Sequence, residues 1–200
     1  QIFEKNFDSN FEYASRVILS KFSEIEKIDT PYVDSYKKKI YNLNKATKVI
    51  TNAITNKNPI IFLTDFDNDG SLSQAIIQEY MKIDKIAAQN MQLEFAISVN
   101  GNTTRGFSVD LVNSIVEKNG YNNNDKFVIV TADNGINSRD EQEKIQKLYP
   151  NAKIVITDHH NPDHDMVVQE NDNTVIFNPH YKPTEWFKKY NISGANTCAV

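Results

Sequence analysis

Three short β-branched runs, each ending in an acidic or histidine-bearing cluster, constrain this chain more than any other feature. PIIFLTD occupies 59–65, KFVIVTAD 126–133 and AKIVITDHH 152–160. A short apolar run rich in Val and Ile predicts a strand buried on both faces, as in parallel sheets. Around these runs the period changes to that of helices. Leu43, Ala46, Val49, Ile50, Ala53 and Ile54 follow amphipathic helical spacing, and 71–88 has apolar residues at 72, 75, 76, 77, 80, 83, 86 and 87. Residues 109–120 read as a helix closed by Gly120, and 138–148 as a polar, charged helix ended by Pro150. LEFAISV (93–99) and TVIFNP (174–179) supply two more strands. This alternation predicts an α/β fold, a doubly wound, mostly parallel sheet flanked by helices. Such sheets bind ligands outside the carboxyl ends of their strands, and the three clusters fall there.

Bulk properties narrow the setting. Two hundred residues suffice for one sizeable core, and residues 1–58 contain no glycine and read as helical. A chain 40% apolar and 24% charged has the composition of a water-soluble globular protein. Its longest apolar runs, such as Ile60 to Leu63, are far too short to cross a membrane. The start QIFEKNFDSN lacks the basic-then-apolar order of a secretory signal. A single cysteine, Cys198, excludes an internal disulfide framework and fits a reducing compartment, so the cytoplasm is expected. A net charge of −4 argues against a protein that coats nucleic acid non-specifically. It leaves room for a nuclease whose positive charge is a bound cation. The asparagine run at 122–124 reflects biased composition rather than chemistry.

The first cluster is DFDNDG, with Asp65, Asp67 and Asp69 before Gly70. Three carboxylates so close repel one another, and a hard divalent ion held by oxygen ligands resolves that repulsion. A solvated acidic turn is the plain alternative. An EF-hand loop is a poorer fit, because its twelfth position is Ile76 and a strand precedes it. A haloacid-dehalogenase-like phosphatase motif fails at Asp69, where that motif has Thr or Val. The second cluster, VTADNG, places Asp133 at a strand end before an Asn134-Gly135 turn; taken alone, it reads as a loop aspartate capping the next helix. The third, TDHHNP, brings Asp158, His159 and His160 together. Imidazole favours manganese, zinc or iron over calcium, and a neighbouring carboxylate can fix its tautomer. Asp163, His164 and Asp165 read as solvated loop residues.

In order and context these clusters resemble the first three signature motifs of the DHH phosphoesterase superfamily, and within it the chain looks most like a RecJ-type single-strand exonuclease. The segment NKATKVITNAITNKNPIIFLTDFDNDG resembles that family's helix leading into its first motif. Asn100 with Arg105, Gly106 and Phe107 resembles the segment before the second motif, and VIFNPHY and ISGANTCAV resemble those that follow the third. Asn68 departs from the usual alanine or valine. The resemblance runs from about Leu43 to the end, so residues 1–42 are expected to form an N-terminal helical extension and 43–200 the DHH catalytic domain.

The resemblance implies a metal-dependent hydrolase of single-stranded DNA that works in repair or recombination. Asp67, Asp69, Asp133 and His159 would hold two divalent ions, manganese or magnesium, with Asp133 bridging them. Asp65 and Asp158 would be ligands or groups that orient the ligands. His160 would face the scissile phosphate and Arg105 would hold a substrate phosphate. Catalysis itself would rest on Asp65, Asp133 and His160. A structural ion pair for Arg105 and a purely orienting role for His160 stay open. The fourth motif of the family, with a further metal-binding Asp, and its second domain lie beyond the matched segment. Both are expected from a C-terminal part, in the same or another chain. Single-stranded nucleic acid, DNA first, and replication or repair proteins are the expected partners, with no membrane. The alternatives are an oligonucleotide or cyclic-dinucleotide phosphodiesterase of the same class, or a non-catalytic DHH scaffold in a replication assembly.

Overall fold

The computed structural model describes residues 41–83, 89, 91–95, 98–99, 102–103 and 107–184. The expected N-terminal extension is therefore outside the described residues but for its last two, as are Arg105 and the segment ISGANTCAV. The elements run α1 (Leu43–Thr55), β1 (Ile60–Thr64), α2 (Asn68–Ile83), β2 (Met91–Phe95), β3 (Ser98–Val99), β4 (Asn102–Thr103), α3 (Val109–Lys118), β5 (Val128–Ala132), α4 (Arg139–Leu148), β6 (Lys153–Thr157) and β7 (Thr174–Phe177).

Five strands form one sheet in the order β2-β1-β5-β6-β7, every pair parallel. Register explains why the runs have no alternation. Ile61, Ile129 and Ile154 share one row, and Leu63, Thr131, Ile156 and Ile176 the next on that face. These rows join a core cluster with Val112, Ile115 and Val116 of α3 and Ile145 of α4. The intervening row, Phe62, Val130, Val155 and Val175, faces the other way, towards α1, which packs against β1, β5, β6 and β7. Both faces being covered, every strand position except Lys153 in β1, β5, β6 and β7 is buried. The sheet is doubly wound, as the alternation predicts.

Two boundaries differ from the sequence expectation. The helix expected from Ser71 starts at Asn68, because the Asp67 carboxylate accepts the Gly70 N–H at 3.0 Å and caps its first turn. Gly70 does not break this helix. It admits a close approach, since a Cβ there would lie 2.2 Å from the Asp65 carbonyl oxygen. The strand expected at 93–99 runs instead from Met91 to Phe95, where its partner β1 ends, and Ser98–Val99 pairs antiparallel with Asn102–Thr103.

Candidate metal centre

From β1 the sheet grows outward to β2 on one side and to β5, β6 and β7 on the other. The β1/β5 boundary is thus the topological switch point, where a crevice opens at the carboxyl ends. Asp65, Asp67 and Asp69 follow β1, Asp133 follows β5, and Asp158, His159 and His160 follow β6.

Asp133 is the centre of this arrangement. Its backbone is left-handed, φ 68°, a conformation that Asp and Asn tolerate far better than branched residues. Asp133 N–H donates to the Thr157 carbonyl at 2.9 Å, and Gly135 turns the chain at φ 102°. Asn134 braces the turn, its Nδ2 donating to the Leu63 and Ala132 carbonyls at 2.9 and 3.0 Å. The Asp133 side chain is 0% exposed, yet among the described residues neither carboxylate oxygen receives a hydrogen bond. Burial, Asp67, Asp158 and Asp69 together push its carboxyl up to about 8. In its protonated form it can share that proton with Asp67. The Gly70 N–H, against the opposing effect of burial, holds Asp67 itself below the usual carboxylate range.

The imidazoles complete the cluster. His159 Nε2 lies 3.1 Å from Asp133 Oδ1 and 3.9 Å from Asp69 Oδ2. Asp158 is buried and accepts the Ile136, His159 and His160 N–H groups at 2.9, 2.7 and 3.2 Å. It also meets His160 Nδ1 at 2.7 Å. That contact, opposed by burial and aided by the charges of Asp158, Asp133 and Asp65, raises His160 to about 9. Asn178, which the sequence reading passed over, anchors the other side: its Nδ2 donates to the His160 carbonyl at 3.0 Å. One ligand atom each from Asp133, His159 and His160 lie within 4.8 Å of one another. His160 thus stands among possible ligands as well as being the residue expected to face a phosphate, and its Asp158-bound Nδ1 leaves Nε2 for either task. The Asp163–Asp165 loop is exposed, as expected, and Asp163 accepts the Asp165 N–H within its own turn.

This donor set suits a divalent ion. It combines carboxylate oxygens with imidazole nitrogen, and its most buried member has oxygens that receive no hydrogen bond among the described residues. Fold and site together define a doubly wound α/β protein with a carboxylate–imidazole centre at its switch point. The family model described as "DHH family, N-terminal domain" matches residues 59–200, and the chain belongs to that family. No curated protein is a significant sequence match. Among solved structures the chain is similar to exonuclease RecJ bound to manganese, at 18% identity and TM-score 0.59 over 80% of this chain and 36% of that one. It is also similar to RecJ in complex with Mn2+ from Thermus thermophilus, at 17% identity and TM-score 0.56 over 80% of this chain and 20% of that one. The likeness establishes the fold, and the chain spans only about a third or less of either neighbour.

Proposed function

We propose that this chain is the DHH catalytic part of a metal-dependent phosphodiesterase that hydrolyses single-stranded DNA as a RecJ-like exonuclease. Asp133 carries the reading: a buried carboxylate whose oxygens receive no hydrogen bond among the described residues, at the switch point of a parallel sheet, with His159 Nε2 at 3.1 Å. Such a group is costly to leave unmatched and is suited to a cation from outside. The shared fold with manganese-bound RecJ structures supports the assignment.

In this reading Asp67, Asp69, Asp133 and His159 would hold two divalent ions, manganese or magnesium. Bound ions supply the activated water and the charge neutralisation that phosphodiester hydrolysis needs. The remaining work belongs to the chain. Asp158, itself held by three backbone N–H groups, fixes the His160 ring and leaves Nε2 for a phosphate oxygen. Asp65, whose Oδ1 accepts the Phe66 N–H at 2.7 Å, joins Asp133 and His160 as the groups on which catalysis would rest. Arg105 grips a substrate phosphate through its paired donors. Among the described residues no helix is long and apolar enough to cross a membrane. We place the protein in the cytoplasm, with single-stranded nucleic acid, a C-terminal DHH-family part and replication or repair proteins as its partners.

The test is digestion of end-labelled single-stranded DNA and RNA, beside dinucleotides, by the full-length protein with manganese. Stepwise release of mononucleotides from DNA is the expected outcome. Much faster cleavage of dinucleotides would replace this reading with an oligonucleotide phosphodiesterase, and no turnover of any of them would replace it with a scaffold.

A further inference from the structure

One exposed aromatic residue lies within the loop that carries the acidic cluster. Phe66 is 55% exposed although it lies between Asp65 and Asp67. Its position is fixed on both sides: its own N–H donates to Asp65 Oδ1, and Asp67 is pinned by the Gly70 N–H at 3.0 Å. A flat apolar face beside charged ligands offers nothing to a phosphate, but it matches the π-face of a nucleobase. We infer that Phe66 stacks on the base of the nucleotide whose phosphate lies at the metal centre. The inference rests on the proposed phosphodiesterase function and adds to it a contact that recognises the base. Leu72, Ile76 and Tyr80 form a second exposed apolar row along α2, spaced four residues apart on the helix. That row begins beyond the loop, and nothing in the structure shows what covers it. Among the exposed large apolar residues described, only Phe66 shares a turn with the expected ligands Asp67 and Asp69.

Stacking of this kind tolerates any base and distinguishes a nucleotide from an abasic residue. The test compares wild type, Phe66→Ala and Phe66→Trp, all full length and loaded with manganese. Each is given single strands whose terminal residue carries a base or lacks one. A phosphorothioate-protected strand ending in 2-aminopurine reports stacking by fluorescence quenching. Wild type should quench the probe and prefer the base-bearing end. Phe66→Ala should lose the quenching, and its preference in kcat/KM should fall by about 5- to 100-fold. Phe66→Trp should restore both. The manganese-induced rise in Tm, kept in Phe66→Ala, shows that the fold and centre survive. Unchanged quenching or base preference in Phe66→Ala overturns the stacking role alone. Loss of the manganese effect in that variant also counts against it, because Phe66 would then be structural. If wild type neither binds nor cleaves single strands with manganese, the proposed function falls and stacking falls with it.

Discussion

Asp133 and Glu170 are two carboxylates of one domain, and the fold treats them oppositely. Glu170, in the loop before β7, accepts the Tyr41 hydroxyl at 2.8 Å, Asn42 Nδ2 at 2.7 Å, Lys45 Nζ at 3.2 Å and Lys182 Nζ at 3.3 Å. Burial pushes its carboxyl up, but those four donors outweigh burial and bring it down to about 2. Asp133 is more deeply buried, its oxygens receive no hydrogen bond among the described residues, and it rises to about 8. A folded chain satisfies its structural carboxylates from its own hydrogen bonds. One whose oxygens receive no hydrogen bond among the described residues, in a left-handed backbone conformation at a strand end, is what the proposed cation would match.

The contrast breaks first at Asp133. Asp133→Asn keeps the left-handed backbone, and its amide can donate to Asp67. The metal-free variant should therefore be more stable than wild type, by about 1 kcal/mol or more. Its manganese-induced rise in Tm should vanish. Hydrolysis should fall by more than the roughly 10- to 100-fold typical of groups that only orient a ligand. Metal-free and manganese-loaded melting curves with single-turnover rates check all three, and equal manganese shifts in variant and wild type would remove Asp133 from the centre.

A smaller effect is expected one contact away. Asp158→Asn retains an acceptor for the backbone N–H groups but loses the charge facing His160 Nδ1. Activity should drop about 10- to 100-fold with the manganese shift largely kept. Activity equal to wild type would show that the His160 ring needs no charged anchor.

The smallest change sharpens the other half of the comparison. Glu170 has a folded value of about 2 against an ordinary 4.5. Its contribution to stability is therefore fully present above pH about 4.5 and is lost as pH falls towards 2. Glu170→Gln should lower stability by about 2 kcal/mol at neutral pH and flatten that acid limb, without touching hydrolysis. Urea unfolding of both proteins from about pH 7 down to about pH 2, which brackets that limb, measures it, and parallel curves would show that the four donors add nothing net.

The reach of the sequence follows the same division. Runs such as Ile60–Thr64 and Val128–Ala132 were legible because burial on both faces demands unbroken apolar residues. The three clusters were legible because the parallel sheet brings strand ends together. What stayed hidden depends on partners distant in sequence. Glu170 meets Tyr41 and Asn42 across more than 120 residues. Gln142 is buried inside a helix that reads as polar because Thr174 and the Gln169 carbonyl satisfy its amide. Asn178 read as part of the last strand run, and only the fold shows it holding the His160 carbonyl. The start of α2 was missed because glycine reads as a breaker, whereas Gly70 sits inside the first turn for want of space.

If the proposed centre holds a divalent ion, Asp133 also ties the lifetime of the protein to its mineral supply. Molecules made while divalent ions are scarce would fold around an uncompensated buried acid and open more often. Open molecules are the ones that proteases remove. Abundance would then track the free ion, and starvation for metal would deplete the protein itself before it limited turnover by the molecules that remain.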